Sequence, residues 1–277
     1  MINPSFAKVA AAYQLHFYLC FKSHSLRPVL ADDGISETIT EVLQGVCERE
    51  DYHLLESHLS PDHLRLLVSL RPEHSVSNVV NLLKGNLSRQ LGLRSRAESP
   101  WFATGYFARS SGIVNIETVR DYVSNQVAHH GYRGRWTEAL EYRNTRFKSP
   151  AFQLNHCLTI LTYHLVLVTV RRASVFDETI ASKLFDYINA VGDRHKFVID
   201  RISMLPDHVH LVLEAAPTKS VEAIALALMN NTAHWMGKHY WGVLKQTDAW
   251  GVWQPSFYAG TAGEYSTAQV KRFLGSN

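Results

Sequence analysis

The sequence predicts an α/β protein in which one domain is built twice along a single chain. Two observations carry this. Ser60-Pro-Asp-His63-Leu-Arg65-Leu-Leu-Val68 returns as Leu205-Pro-Asp-His208-Val-His210-Leu-Val-Leu213, an offset of 145 residues (208 against 63). Around both copies, strand-like and helix-like stretches follow in one and the same order. A chain of 277 residues accommodates one large domain or two of ordinary size.

Taken in order, Tyr13 to Lys22 is rich in aromatic and apolar residues and reads as a strand, as does Tyr163 to Arg172. After the first, Asp33-Gly34 leads into Ile35, Ile39, Val42, Leu43 and Val46 at helical spacing. After the second, Asp177 serves as an N-cap for a helix carrying Ile180, Leu184, Ile188 and Val191. A strand through Tyr52 to Leu59 precedes the first Pro-Asp-His, and Lys196 to Ser203 precedes the second. Each Pro-Asp-His opens a further strand. Asp62 and Asp207 read as turn formers ahead of it. Ser75-Val76 and Ser220-Val221 then open helices, with Val79, Val80, Leu83 and Leu87 on one face and Ile224, Ala225 and Leu228 on the other. Trp101 and Tyr106 recur as Trp253 and Tyr258, both tryptophans read as core. Val119-Arg-Asp-Tyr122-Val-Ser-Asn-Gln126 recurs as Val270-Lys-Arg-Phe273-Leu-Gly-Ser-Asn277. The expected units are therefore residues 1–130, a linker over 131–155, and residues 156–277. The linker holds Arg133, Arg135, Arg143, Arg146 and Lys148 against Glu138 and Glu141; it reads either as a phosphate contact or as a solvated helix.

Composition narrows the class. Cys20, Cys47 and Cys157 lie far apart, which argues against a disulfide framework and fits a reducing cytoplasm. No apolar run is long enough for a membrane span; Leu158 to Val170 is interrupted by Tyr163 and His164. No signal peptide is apparent. A net charge of +3 permits a nucleic-acid partner without demanding one.

Chemistry enters with the second Pro-Asp-His. Residues two apart on a strand share a face, so His208 and His210 project side by side and form a ready pair of ligands for a divalent metal. With 15 His in the chain, roughly one His-x-His is expected by chance. The repeat is what gives this one weight.

Pro-Asp-His-x-His on a strand, a Ser-Val helix, a Trp-x4-Tyr strand and a late Tyr-x3-Gln helix together resemble the single-tyrosine HUH transposases, including the small insertion-sequence enzymes and their relatives associated with repetitive palindromes. The resemblance covers nearly the whole chain, as two copies of a domain usually found once. It implies two ferredoxin-like domains with antiparallel sheets and packed helices, arranged as a pseudo-two-fold dimer within one chain. It further implies Mg²⁺ or Mn²⁺ as cofactor, and single-stranded DNA flanked by a hairpin as partner. A tyrosine would attack the phosphodiester and become joined to the 5′ phosphate. His208 and His210 match the metal pair, Tyr122 the nucleophile and Gln126 the third ligand.

Each half departs from the pattern. Arg65 stands beside His63 where the second histidine belongs, and a guanidinium has no lone pair to give a metal. Phe273 replaces the tyrosine and has no hydroxyl. Each half alone is therefore dead. One intact site arises only if the helices cross, so that Tyr122 and Gln126 meet His208 and His210 while Phe273 meets His63 and Arg65. Two other functions stay open: a domesticated hairpin-binding protein that has lost its chemistry, and an unrelated two-histidine hydrolase.

Overall fold

The structure is a computed structural model. It describes residues 5–30, 32–95, 100–112, 114–125, 140–145, 147, 152–154, 157–246, 251–263 and 274. Two six-stranded sheets form, and the same six-element unit lies at the centre of each. In the first, β2 (His16–Lys22), α1 (Asp33–Glu50), β3 (His53–Ser60), β4 (His63–Ser69), α2 (Val76–Ser95) and β5 (Phe107–Ser111) follow in turn, with sheet order β3-β4-β2-β5. In the second, β9 (Thr162–Thr169), α4 (Glu178–His195), β10 (Phe197–Leu205), β11 (His208–Ala215), α5 (Val221–His239) and β12 (Trp253–Ala262) give β10-β11-β9-β12. All the pairings within each quartet are antiparallel. This is the ferredoxin-like order, met twice.

Local chemistry explains the shared path. The Asp32 side chain accepts from Gly34 N at the start of α1, and Asp177 accepts from Ile180 N at the start of α4. Ser75 and Ser220 do the same for α2 and α5, accepting from Asn78 N and Ala223 N. Both α1 and α4 stop at a non-glycine residue in the left-handed region, Asp51 and Lys196, and a strand follows at once. Both strands then slip register at matching places, between Leu54 and Glu56 and between Ile199 and Arg201. One face of each sheet carries the core: Leu64, Leu66 and Val68 of β4, and Val209, Leu211 and Leu213 of β11, are buried in a single cluster with α1, α2, α4 and α5.

The units trade edges. β1 (Ala10–Gln14), ahead of β2, pairs in parallel with β12 of the second sheet. β8 (Cys157–Ile160), ahead of β9, pairs in parallel with β5 of the first. The stretch expected to be one strand from Tyr13 to Lys22 is thus two strands in two sheets, parted at Leu15. The stretch expected to be a linker also contains strands: β6 (Glu141–Arg143) extends the second sheet beside β10, and β7 (Phe152–Leu154) lies on β8. Among the described residues the remaining α-helices are α3 (Ile116–Ser124) and α6 (Trp241–Gln246).

Register fixes how the repeats match, and one expected match shifts. Leu213 faces Tyr163 and its counterpart Val68 faces Phe17, so Tyr163 corresponds to Phe17 and His164 to Tyr18. Tyr258 faces Val166 as Phe107 faces Cys20, so Tyr258 corresponds to Phe107, not Tyr106. A one-residue slip on a strand reverses the face. Tyr106 accordingly points inward, its hydroxyl 3.0 Å from Ser77 Oγ, whereas Tyr258 is 38% exposed on the opposite face. Trp101 and Trp253 are both buried, as expected.

Candidate active site

Alternation along β11 sends His208, His210 and Glu214 to the face away from α4 and α5. That face is covered by α3, which belongs to the first half of the chain and lies across β10 and β11. Asn115 caps α3 by accepting from Thr118 N. Charge holds the helix down: Arg120 Nε lies 2.7 Å from Asp200 Oδ2, and Arg201 Nη1 donates to Ser124 Oγ at 2.8 Å and to the Arg120 carbonyl at 3.2 Å. Val123 is buried beneath it.

This docking carries Tyr122 to the histidines. Its ring centroid is 5.7 Å from that of His210 and 6.0 Å from that of His164, edge to face in both cases, and the residue remains 42% exposed. His208 and His210 are 4% and 5% exposed, with ring centroids 5.1 Å apart. The geometry thus brings together Tyr122, His208 and His210 from opposite halves. Gln126 and Phe273 lie outside the described residues.

Each histidine has a partner at Nδ1. His208 Nδ1 is 2.6 Å from Asp207 Oδ1, and Arg172 Nε donates to the other carboxylate oxygen at 2.8 Å. Burial alone would raise the Asp207 carboxyl; the hydrogen bond and charge of His208, with Arg172, outweigh it and hold the group below the ordinary carboxylate range. Asp207 therefore does more than shape a turn: it fixes the His208 tautomer, with the proton on Nδ1 and the lone pair on Nε2. His210 Nδ1 lies 3.1 Å from His164 Nε2, with the rings nearly parallel. Burial pushes His164 down to about 4, so it is a neutral ring at physiological pH. Ser203, paired across from His210, is fully buried, and its Oγ has no hydrogen-bond partner among the described residues.

Two imidazoles, each with Nδ1 engaged, form a donor pair that suits a divalent ion. Among the described residues no group of three or more His, Cys, Asp or Glu is placed to hold one. His208 and His210 together offer two donor nitrogens, fewer than a divalent ion takes up.

The corresponding face of the first sheet differs. His63 Nδ1 sits 2.7 Å from Asp62 Oδ1, repeating the Asp207–His208 arrangement. Arg65 occupies the His210 position, opposite Cys20. Tyr18, Cys20 and Phe107 form a small apolar cluster with Leu158 and with Leu274, from the end of the chain. Reading the sequence alone missed His164, the carboxylate role of Asp207, and the Arg120–Asp200–Arg201 clamp. A polar residue inside an otherwise apolar strand was the available signal for His164.

Comparison with known proteins agrees with this double architecture. The model of the IS200-like transposase family matches twice, over residues 10–126 and 157–277. The chain belongs to the IS200-like transposases. The ISDra2 transposase TnpA of Deinococcus radiodurans is 27% identical over 116 residues, which is 42% of this chain and 83% of that protein. The transposase of insertion element IS200 from Salmonella typhimurium is 28% identical over 96 residues, 32% of this chain and 62% of that protein. A solved structure described as a transposase from Deinococcus radiodurans covers 44% of this chain and 95% of its own at 18% identity, with a TM-score of 0.34. No helix among the described residues is long and apolar enough to cross a membrane.

Proposed function

We propose that this transposase nicks and rejoins single-stranded DNA through a 5′-phosphotyrosine, at one composite site assembled from both halves of a pseudo-dimeric chain. The halves are residues 1–130 and 156–277. The observation that carries the reading is the approach of Tyr122, on α3, to His210, on β11.

The roles follow from the chemistry of the residues. Tyr122 Oη attacks the phosphorus; the new Oη–P bond forms as the P–O3′ bond breaks, and the freed 3′ oxygen takes up a proton. The bond energy stays in the phosphotyrosine, so the strand is rejoined without ATP. A phenol has a pKa of about 10, so it needs activation to attack at neutral pH. His208 and His210, with Gln126 one helical turn beyond Tyr122, are the proposed holders of Mg²⁺ or Mn²⁺. Such a cation, when bound, polarises the phosphoryl oxygen and offsets developing charge. Asp207 and His164 keep the two imidazoles in the tautomer that can ligate. Partial exposure of Tyr122 leaves a strand room to reach it.

The test is a denaturing gel. A labelled hairpin-flanked oligonucleotide, mixed with the protein and Mn²⁺, should yield a covalent adduct that survives denaturation. A stable native complex with no adduct across varied hairpins would instead identify a binding protein that has lost its chemistry.

A further inference from the structure

The altered pair on the first sheet is not an empty remnant. We propose that Arg65, with His63 and Lys22, forms a phosphate-binding site that holds the DNA backbone without cutting it. This rests on the reading above only in taking the ligand to be single-stranded DNA.

Placement comes first. Lys22 pairs with His63 and Cys20 with Arg65 across β2 and β4, so all four side chains share one face. It is the face away from the core, because Leu64 and Leu66 between them point into the core cluster. By register this is the counterpart of the surface that bears His208 and His210. Charge comes second. The face carries the Arg65 guanidinium and the Lys22 ammonium, and the Asp62 carboxylate lies 2.7 Å from His63 Nδ1. Burial pushes the Cys20 thiol up to about 12, so it adds no negative charge there. Third, Arg65 Nε is buried with no hydrogen-bond partner among the described residues. Buried guanidinium donors are seldom left unmet, and a phosphate oxygen is the acceptor their fork suits. Arginine here supplies the positive charge a metal would bring, but as a fixed group that activates no nucleophile. Holding and cutting are thus divided between the two sheets.

The experiment measures binding without chemistry. Fluorescence anisotropy of a labelled hairpin-flanked single strand is read in EDTA across a NaCl series, using the full chain. Arg65→Ala should weaken binding about tenfold at low salt. It should also flatten the slope of log affinity against log salt by about 0.7, the value for one lost single-strand phosphate contact. Arg65→Lys should recover the slope but not the full affinity. Arg65→Met keeps the aliphatic stem, so the same loss with unchanged circular dichroism excludes misfolding as the cause. Unchanged affinity and slope in Arg65→Met overturns the proposal, as does failure of the unaltered protein to bind the strand. The two readings fail separately. Adduct formation with normal Arg65→Met binding sinks this inference alone, whereas lost binding in that variant without any adduct from the unaltered protein sinks the cleavage reading alone.

Discussion

The two sheets share topology, bulges, helix stops and the Asp–His contact that opens β4 and β11, yet they differ in the few side chains that the proposed chemistry uses. On the second sheet, His208, His210 and His164 lie together under Tyr122. On the first, the corresponding positions are His63, Arg65 and Tyr18. Burial and hydrogen bonding of the backbone keep a scaffold in place; a ligand set can be lost without touching either. The contrast teaches that core residues and the residues of the proposed site can vary independently, because they occupy opposite faces of the same strands.

The sharpest way to break this contrast is at Tyr122. Tyr122→Phe should remove adduct formation by at least about a thousandfold, and His208→Ala should do the same, both read on denaturing gels. Mixing those two proteins should not restore the adduct; recovery would mean that the site forms between chains. The carboxylates come next. Asp207→Asn should weaken Mn²⁺ binding by about 10- to 100-fold in calorimetric titration, since a fixed tautomer is lost. Asp62→Asn should leave it unchanged. An equal effect from both would mean that the first sheet also binds metal. For His164, nitrogen NMR of the metal-free protein should show His210 carrying its proton on Nδ1. His164→Leu should mix the tautomers and weaken Mn²⁺ binding by about tenfold, while His164→Gln, which keeps an acceptor, should restore most of it. Asp200→Asn should loosen α3 and lower stability by about 2 kcal/mol, measured by thermal unfolding, because Arg120 loses a largely buried partner. Smallest of all, at saturating DNA, where binding no longer limits the yield, His63→Ala and Tyr258→Phe should change adduct yield by no more than about twofold. A loss comparable to that of His208→Ala would reverse the assignment of the two faces.

Much of this was legible in the sequence, and the gaps have physical causes. Helix starts were readable because Asp177, Ser75 and Ser220 cap through their own side chains, a local interaction. The approach of Tyr122 to His210 was expected from the family resemblance, together with the survival of Tyr122, Gln126, His208 and His210 in the sequence. Registers were harder. Tyr106 and Tyr258 look equivalent by their spacing from tryptophan, but cross-strand hydrogen bonds fix the true match, and those are set by distant residues. The clamp of Arg120, Asp200 and Arg201 was invisible for the same reason, since its members lie some 80 residues apart in the chain. β6 and β7 were missed because three-residue edge strands have no periodicity to detect.

The exchange of β1 and β8 has a consequence for inheritance. Separate subunits carrying these two defects would assort at random, and every like-with-like pair would lack either a tyrosine or a second histidine. Here β1 is an edge of the sheet that bears His210, and β8 lies between β5 and β7 in the sheet that bears Arg65. A copy cannot part from its complement without breaking both sheets. Under the proposed function, each translated chain carries Tyr122 and the His208–His210 pair together, so the changes at Arg65 and Phe273 are complemented within every molecule.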